Sequence, residues 1–343
     1  MASGNSSIRA ESKGTKRQKQ AGGGGFSRLA TSIGLPTALI VVVVVFSIIK
    51  HSEFDTFGNL GTILGSQAVS LVVTLGLMFA LIAGEWDLSI GGTLGLSLTL
   101  TGYLNASEGV SIWVSILVAL LAGLAVGTVN ALVIVRLRVP SLVATLGMAT
   151  LLQGVVYGIS DLTISGLNPS FVQFGEGEVV KIPYLFFVAI GIAIVVFYVL
   201  RYTPFGRYLY FVGASHDVAT LAGIRVNRIR TLALMISGFM SSLAGVLLAA
   251  SLGSTGPSIG PGYLLPAFAA AFLGATTIDP GRFNVWGTVV AVYFLVTGVT
   301  GLELLGASSA VQDMFYGGIL IVAVALTEQV GTRVRAVVSG RRR

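Results

Sequence analysis

Glu85 and Asp87 stand two residues apart in Gly84-Glu85-Trp86-Asp87-Leu88-Ser89-Ile90-Gly91-Gly92, a polar interruption between two long apolar runs. A carboxylate carried to mid-bilayer would cost at least about 2.5–3.5 kcal/mol. The segment therefore either starts a helix at a membrane surface or lines a wet cavity. Asp87 followed by Ser89 suits a helix N-terminus, where the carboxylate accepts from free backbone N–H groups and complements the helix dipole. Proton or ion coupling by Glu85 or Asp87 is the other chemistry open to an intramembrane acid. An interfacial position favours the cap.

Other catalytic chemistry has little to stand on. The chain has no Cys, which excludes disulfides, thiolate metal sites and Cys nucleophiles. Its two histidines, His51 and His216, are not in ligand spacing with each other, so no metal site is expected. No Ser/His/Asp arrangement is suggested, and no Gly-x-x-x-x-Gly-Lys-Ser/Thr phosphate loop is present. The chain is not expected to be an enzyme.

The elements that must position these residues are membrane helices. Of 343 residues, 54% are hydrophobic and only 10% charged, with 45 Gly, well above the usual share. A span needs about 20 mostly apolar residues. Ten stretches qualify: about 33–49, 61–83, 88–104, 111–135, 139–160, 184–200, 231–252, 263–278, 285–302 and 310–327. The third and eighth are short and rich in Gly, Ser, Thr or Pro, so they are expected to be broken or re-entrant. Residues 1–32 read as a disordered basic tail rather than a signal peptide, and 328–343 as a second basic tail.

The net charge of +7 does not indicate nucleic-acid binding once its distribution is read. With ten spans and the N-terminus inside, all but two of the 21 basic residues, Lys50 and Lys181, fall on cytoplasmic segments. The expected architecture is an all-α polytopic integral membrane protein with both termini cytoplasmic. Residues 161–183 form the largest outer segment. Residues 201–230 form the largest inner loop, in which Gly213–Ile224 reads as a short amphipathic helix with Val218, Leu221 and Ala222 on one face and Gly223 as its stop. A helix so short needs a surface to dock on, its own underside or a partner. Small residues at Gly91/Gly95, Gly123/Gly127 and Ser237/Ser241/Gly245 allow close helix contact. A faint echo links Asp87…Gly92-Thr93 with Asp279…Gly287-Thr288.

Four motifs in order carry a family resemblance. Gly84–Gly91 is similar to Gly-Gly-Ile-Asp-Leu-Ser-Val-Gly, with Glu85 and Trp86 as departures. Pro140–Gly147 resembles Pro-Pro-Phe-Ile-Ala-Thr-Leu-Gly, and Thr203–Tyr208 resembles Thr-x-Phe-Gly-Arg-Tyr. Gly213–Ile224 is similar to Gly-x-x-x-Glu-Ala-Ala-x-x-Ser-Gly-Ile, with Asp217, Val218 and Ala222 differing. Together they resemble the permease of a bacterial ATP-binding-cassette importer, in the ribose/simple-sugar branch of the binding-protein-dependent permeases, over about residues 55–327. The resemblance implies a type II importer-like permease in the bacterial inner membrane, working as a homo- or heterodimer of permeases. Separate ATPase subunits would bind ATP and Mg, and a solute-binding protein would deliver a sugar. No cofactor is expected in this chain. The motif turn would comprise Asp87, Ser89 and Gly91. The ATPase-coupling segment would comprise Gly213, Asp217, Ala219, Leu221, Gly223 and Ile224.

A sugar pathway needs neutral hydrogen-bonding groups. The in-span candidates are Ser66, Gln67, Ser70, Thr74, Asn130, Thr145 and Gln153. Ser and Thr often bond to their own helix backbone, whereas buried amides need partners. Asn130 and Gln153 therefore read equally as helix–helix ties or as pathway lining. Two alternatives stand beside the sugar permease: a permease of the related branched-chain amino acid branch, and an ion-gradient-driven carrier using Glu85, Asp87 or Asp313.

Overall fold

A computed structural model describes residues 23–50 and 57–340. The expectations for residues 1–22 and for His51 lie outside them. The helices are α1 (Gly23–Ile49), α2 (Phe57–Ser66), α3 (Ala68–Ile82), α4 (Ile90–Gly102), α5 (Ile112–Ala131), α6 (Ser141–Ile159), α7 (Pro169–Glu176) and α8 (Tyr184–Tyr202). They continue as α9 (Pro204–Ala214), α10 (His216–Leu221), α11 (Val226–Leu252), α12 (Leu264–Gly274), α13 (Val285–Leu304) and α14 (Ser309–Gly340). The only strands among the described residues are two-residue ladders, Ile164–Ser165 with Ser254–Thr255 and Glu178–Val179 with Ile182–Pro183.

Helices fall at all ten expected places, but among the described residues seven stretches are long and apolar enough to span on their own, with Ile33–Ile49 and Gly260–Gly274 shorter. The third expected span is neither broken nor re-entrant. It is α4, continued by a π-helical turn at Tyr103–Ser107 and almost wholly enclosed by other helices. The eighth is short: a 3-10 turn at Gly260–Tyr263 followed by α12. The break falls instead in the second, at Gln67 between α2 and α3. Two further differences touch the expected tails: α1 begins at Gly23, and α14 runs on to Gly340.

Every residue of α3 is buried, so this helix and α4 form the centre. Around them α11 makes the closest crossings. A Cβ on Gly123 would strike Ser242, one on Gly238 would strike the Gly123 carbonyl, and one on Gly245 would strike that of Leu94. Small residues here let two backbones approach closely, and Ser97 Oγ adds a bond to the Ser242 carbonyl (2.7 Å). Helices α5, α6, α8 and α14 instead turn large apolar side chains outward, among them Trp113, Leu117, Leu151, Tyr198 and Ile321. Such a surface suits lipid.

The charged loops gather at one end of the bundle. His216 reaches Ala83, Arg230 reaches Glu85, Trp86 reaches Ser141, and Tyr210 reaches Phe283. At the other end Asn105 receives the Asn168 N–H, and the segment 161–183 folds into α7 and a small hairpin that carries Lys181.

Candidate functional site

Gly84 ends α3 in a left-handed conformation (φ 85°) that glycine adopts without strain. The Glu85 N–H returns to the Ala80 carbonyl (2.9 Å) and the Gly84 N–H to that of Leu81 (3.1 Å), a Schellman cap. This cap turns the chain so that Glu85, Trp86 and Asp87 point three ways. Glu85 is buried and paired with Arg230 at the start of α11 (2.5 Å). Trp86 is 39% exposed, with its ring stacked on Phe268 and Phe272 of α12 (5.8 and 5.6 Å between centroids). The Trp86 backbone N–H donates to Ser141 Oγ (3.1 Å).

Asp87 is buried among helices at the end of the bundle where the charged loops gather. It caps little of α4. One carboxylate oxygen accepts the Ser89 N–H (3.1 Å) and the Ser89 hydroxyl (2.6 Å), and the other accepts Ser237 Oγ of α11 (2.6 Å). Asn130 Nδ2 of α5 donates in turn to Ser89 Oγ (2.8 Å). Three donors aimed at one carboxylate form a charge-assisted network, which makes burial of the acid tolerable. Gly91 follows on the face of α4 that meets Gly260, where an added Cβ would lie 3.0 Å from the Gly260 carbonyl.

Of the in-span polar residues, two join this turn and the rest lie apart from it. Asn130 is the amide just described, and its Oδ1 has no partner. Thr145 Oγ1 of α6 accepts the Leu88 N–H (3.0 Å) and lies 2.8 Å from the Ser141 carbonyl. Gln153 ties α6 to the Pro257 carbonyl (2.8 Å) near the opposite end. Gln67 sits at the break before α3, Ser66 is exposed beside it, and Ser70 is buried with its carbonyl taken by Thr74 Oγ1 (2.5 Å).

The inner loop is more helical than expected. Thr203 caps α9, its Oγ accepting the Gly206 N–H (3.4 Å), with Pro204 in the first turn. Gly213 belongs to α9, not to the short helix, and lies so close to the end of α3 that a Cβ would strike the Ile82 carbonyl. The short helix itself is only His216–Leu221, capped by Ser215. Gly223 stops the turn that follows it at φ 78°, with the Ile224 N–H on the Ala219 carbonyl and the Gly223 N–H on that of Thr220, both at 3.0 Å. This repeats the cap built at Gly84. Ala219 is fully buried beneath α10, Asp217 lies exposed in its first turn, and Val218 and Leu221 stand 53% and 88% exposed.

Sequence reading missed what joins the two segments. His216 Nε2 lies 3.0 Å from the Ala83 carbonyl, and Arg230, in the second turn of α11, holds Glu85. The short helix is thereby fastened to the carboxylate turn at both of its flanks. The only cue in the sequence was a basic residue and a histidine bracketing the loop.

The geometry describes a bundle of apolar helices with a short, exposed helix tied to a buried polar turn at the same end. A family model described as "Branched-chain amino acid transport system / permease component" matches residues 59–324. The ribose import permease protein RbsC of Haemophilus influenzae is 31% identical over 86% of this chain and 93% of its own. The autoinducer 2 import system permease protein LsrD of Escherichia coli is 31% identical over 87% of this chain and 92% of its own. The D-allose transport system permease protein AlsC of Escherichia coli is 28% identical over 84% and 89%. A match running from α2 into α14, through the turn and the short helix alike, means that the chain belongs to this family of transport-system permeases and is a multi-pass membrane subunit rather than an enzyme.

Proposed function

We propose that the chain is the membrane subunit of an ATP-driven importer for a monosaccharide or related small polyhydroxy solute, and that α10 is the segment gripped by the separate ATPase. The observation that carries this reading is the exposure of Val218 and Leu221 on a six-residue helix too short to be stable alone. An apolar tip on a rigidly pinned base can be held in a partner's groove and moved as a unit. The His216 and Arg230 contacts would pass that motion to the turn at 84–89, and from there to α4 and α12. Nucleotide in the ATPase would thus bias access to one or the other side.

Ribose, allose and autoinducer 2 in the relatives' names support a sugar-like solute. The family description alone names branched-chain amino acids, and no relative named above does. A solute-binding protein would deliver the sugar, and a second copy or paralogue would complete the pathway. The end bearing α10 and the arginine-rich loops would face the cytoplasm, with both termini. Gradient-driven transport is less well supported. Glu85 is held by Arg230, Asp87 is held by hydroxyls, and Asp313 lies exposed on α14.

The test is purification of the full chain in mild detergent from its host, with ATPase activity assayed in the eluate. An ATPase that co-purifies, and is lost with Gly223→Pro or Asp217→Arg while membrane insertion persists, is the expected result. A chain that purifies alone and takes up solute on an ion gradient would overturn the reading.

A further inference from the structure

At the end of the bundle that carries α10, a cavity of about 660 Å³ lies between the last turn of α8, α9 and the residues 278–286 that lead into α13. Three guanidiniums line it, Arg201, Arg207 and Arg282, against a single carboxylate, Asp279. Among the described residues none of these arginines forms an ion pair, in contrast to Arg230. Like charges around one cavity repel each other and call for an anion between them.

The rest of the cavity is aromatic and firmly held. Phe197 of α8 and Trp286 of α13 lie 5.7 Å apart, each within a turn or two of the end of its span. Tyr210 of α9 donates its hydroxyl to the Phe283 carbonyl (2.6 Å), and the Arg282 guanidinium lies 4.6 Å over its ring. Burial raises the Tyr210 phenol above its ordinary range against the opposing pull of Arg282, so it remains a neutral donor.

We propose that this cavity seats the phosphate headgroup of an anionic phospholipid, with Arg201, Arg207 and Arg282 around the phosphate and an acyl chain against Phe197 and Trp286. The two span ends set the depth at which headgroups lie, and tryptophan favours that interface. Arginine's planar fork suits phosphate, and basic pockets between membrane helices bind anionic headgroups. A free phosphate would gain nothing from the aromatic wall. This site goes beyond the transport reading and does not depend on which solute is carried.

Of the three Trp in the chain, replacing two (Trp86→Phe and Trp113→Phe) leaves Trp286 as the sole reporter. The full chain in detergent is titrated with brominated phosphatidylglycerol or brominated phosphatidylcholine, and quenching of Trp286 is followed. The anionic lipid is expected to quench at the lower concentration. Arg282→Gln should weaken its binding about fivefold. The triple Arg→Gln variant should lose the preference, and the triple Arg→Lys variant should keep most of it. If the triple Gln variant does not purify, Arg207→Gln and Arg282→Gln singly carry the same comparison. Equal quenching by the two lipids, an unchanged preference in the Gln variants, or displacement of the brominated lipid by millimolar inorganic phosphate would each overturn the assignment.

Discussion

Two polar turns join buried helices at the same end of the molecule: residues 84–89 between α3 and α4, and residues 275–284 between α12 and α13. Their sequences echo each other, with an Asp and then a Gly-Thr pair in the next helix. In both, the Thr bonds back to the carbonyl four residues earlier, Thr93 to Ser89 and Thr288 to Asn284. Yet the acids do opposite things. Asp87 is buried and takes three hydrogen bonds, whereas Asp279 is exposed at the rim of the arginine cavity. In the second turn the inward-facing polar residue is Asn284. Its Oδ1 accepts the Gly287 N–H (2.8 Å), and its amide reaches the carbonyls of Gly274, Thr277 and Arg282.

The difference teaches that an acid is kept inside only where partners come from elsewhere in the chain. Ser237 and Arg230, both on α11, reach the first turn. The second turn satisfies itself locally with an amide, and the carboxylate is left to water.

The contrast can be broken most severely at Arg230. Arg230→Ala leaves Glu85 buried without its counter-charge, and thermal unfolding in detergent should show a loss of about 3–5 kcal/mol. The double variant Glu85→Leu/Arg230→Leu should recover most of that loss, which would assign it to the stranded charge rather than to packing. Asp87→Asn comes next. It offers N–H groups to hydroxyls that were donating, and about 1–3 kcal/mol should be lost by the same assay. Asn284→Ala removes the cap of α13 and should cost about 1–2 kcal/mol, with faster amide exchange confined to the first turn of that helix. The sharpest control is Asp279→Asn, expected to change stability by no more than about 0.5 kcal/mol. Equal losses from Asp87→Asn and Asp279→Asn would end the distinction between the two turns.

Much of this was legible in the residues. Gly223 was readable as a stop because a left-handed position after a short apolar-faced helix asks for glycine, and its φ of 78° bears that out. The small residues of α5 and α11 announced a close crossing, and they form one. Hydropathy could not show that α4 is enclosed, because a residue facing protein and one facing lipid are equally apolar. Helix α9 was hidden by its length, although Thr203-Pro204 is a proper start signal. The turn's partners were out of reach for a different reason. Nothing local to Glu85 or Asp87 points to α11, since that pairing is a property of the packed bundle.

That distance along the chain has a consequence for biosynthesis. The Glu85–Arg230 contact spans 145 residues and the Asp87–Ser237 contact 150. At about 5–20 residues per second, Glu85 leaves the ribosome roughly 7–30 s before its counter-charge. Through that interval α3 and α4 carry two carboxylates with no partner from α11, so the central hairpin of the bundle is made early and completed late. A nascent chain stalled before residue 230 would hold this turn in water or against the translocation machinery, and the arrival of α11 would be the event that lets it close.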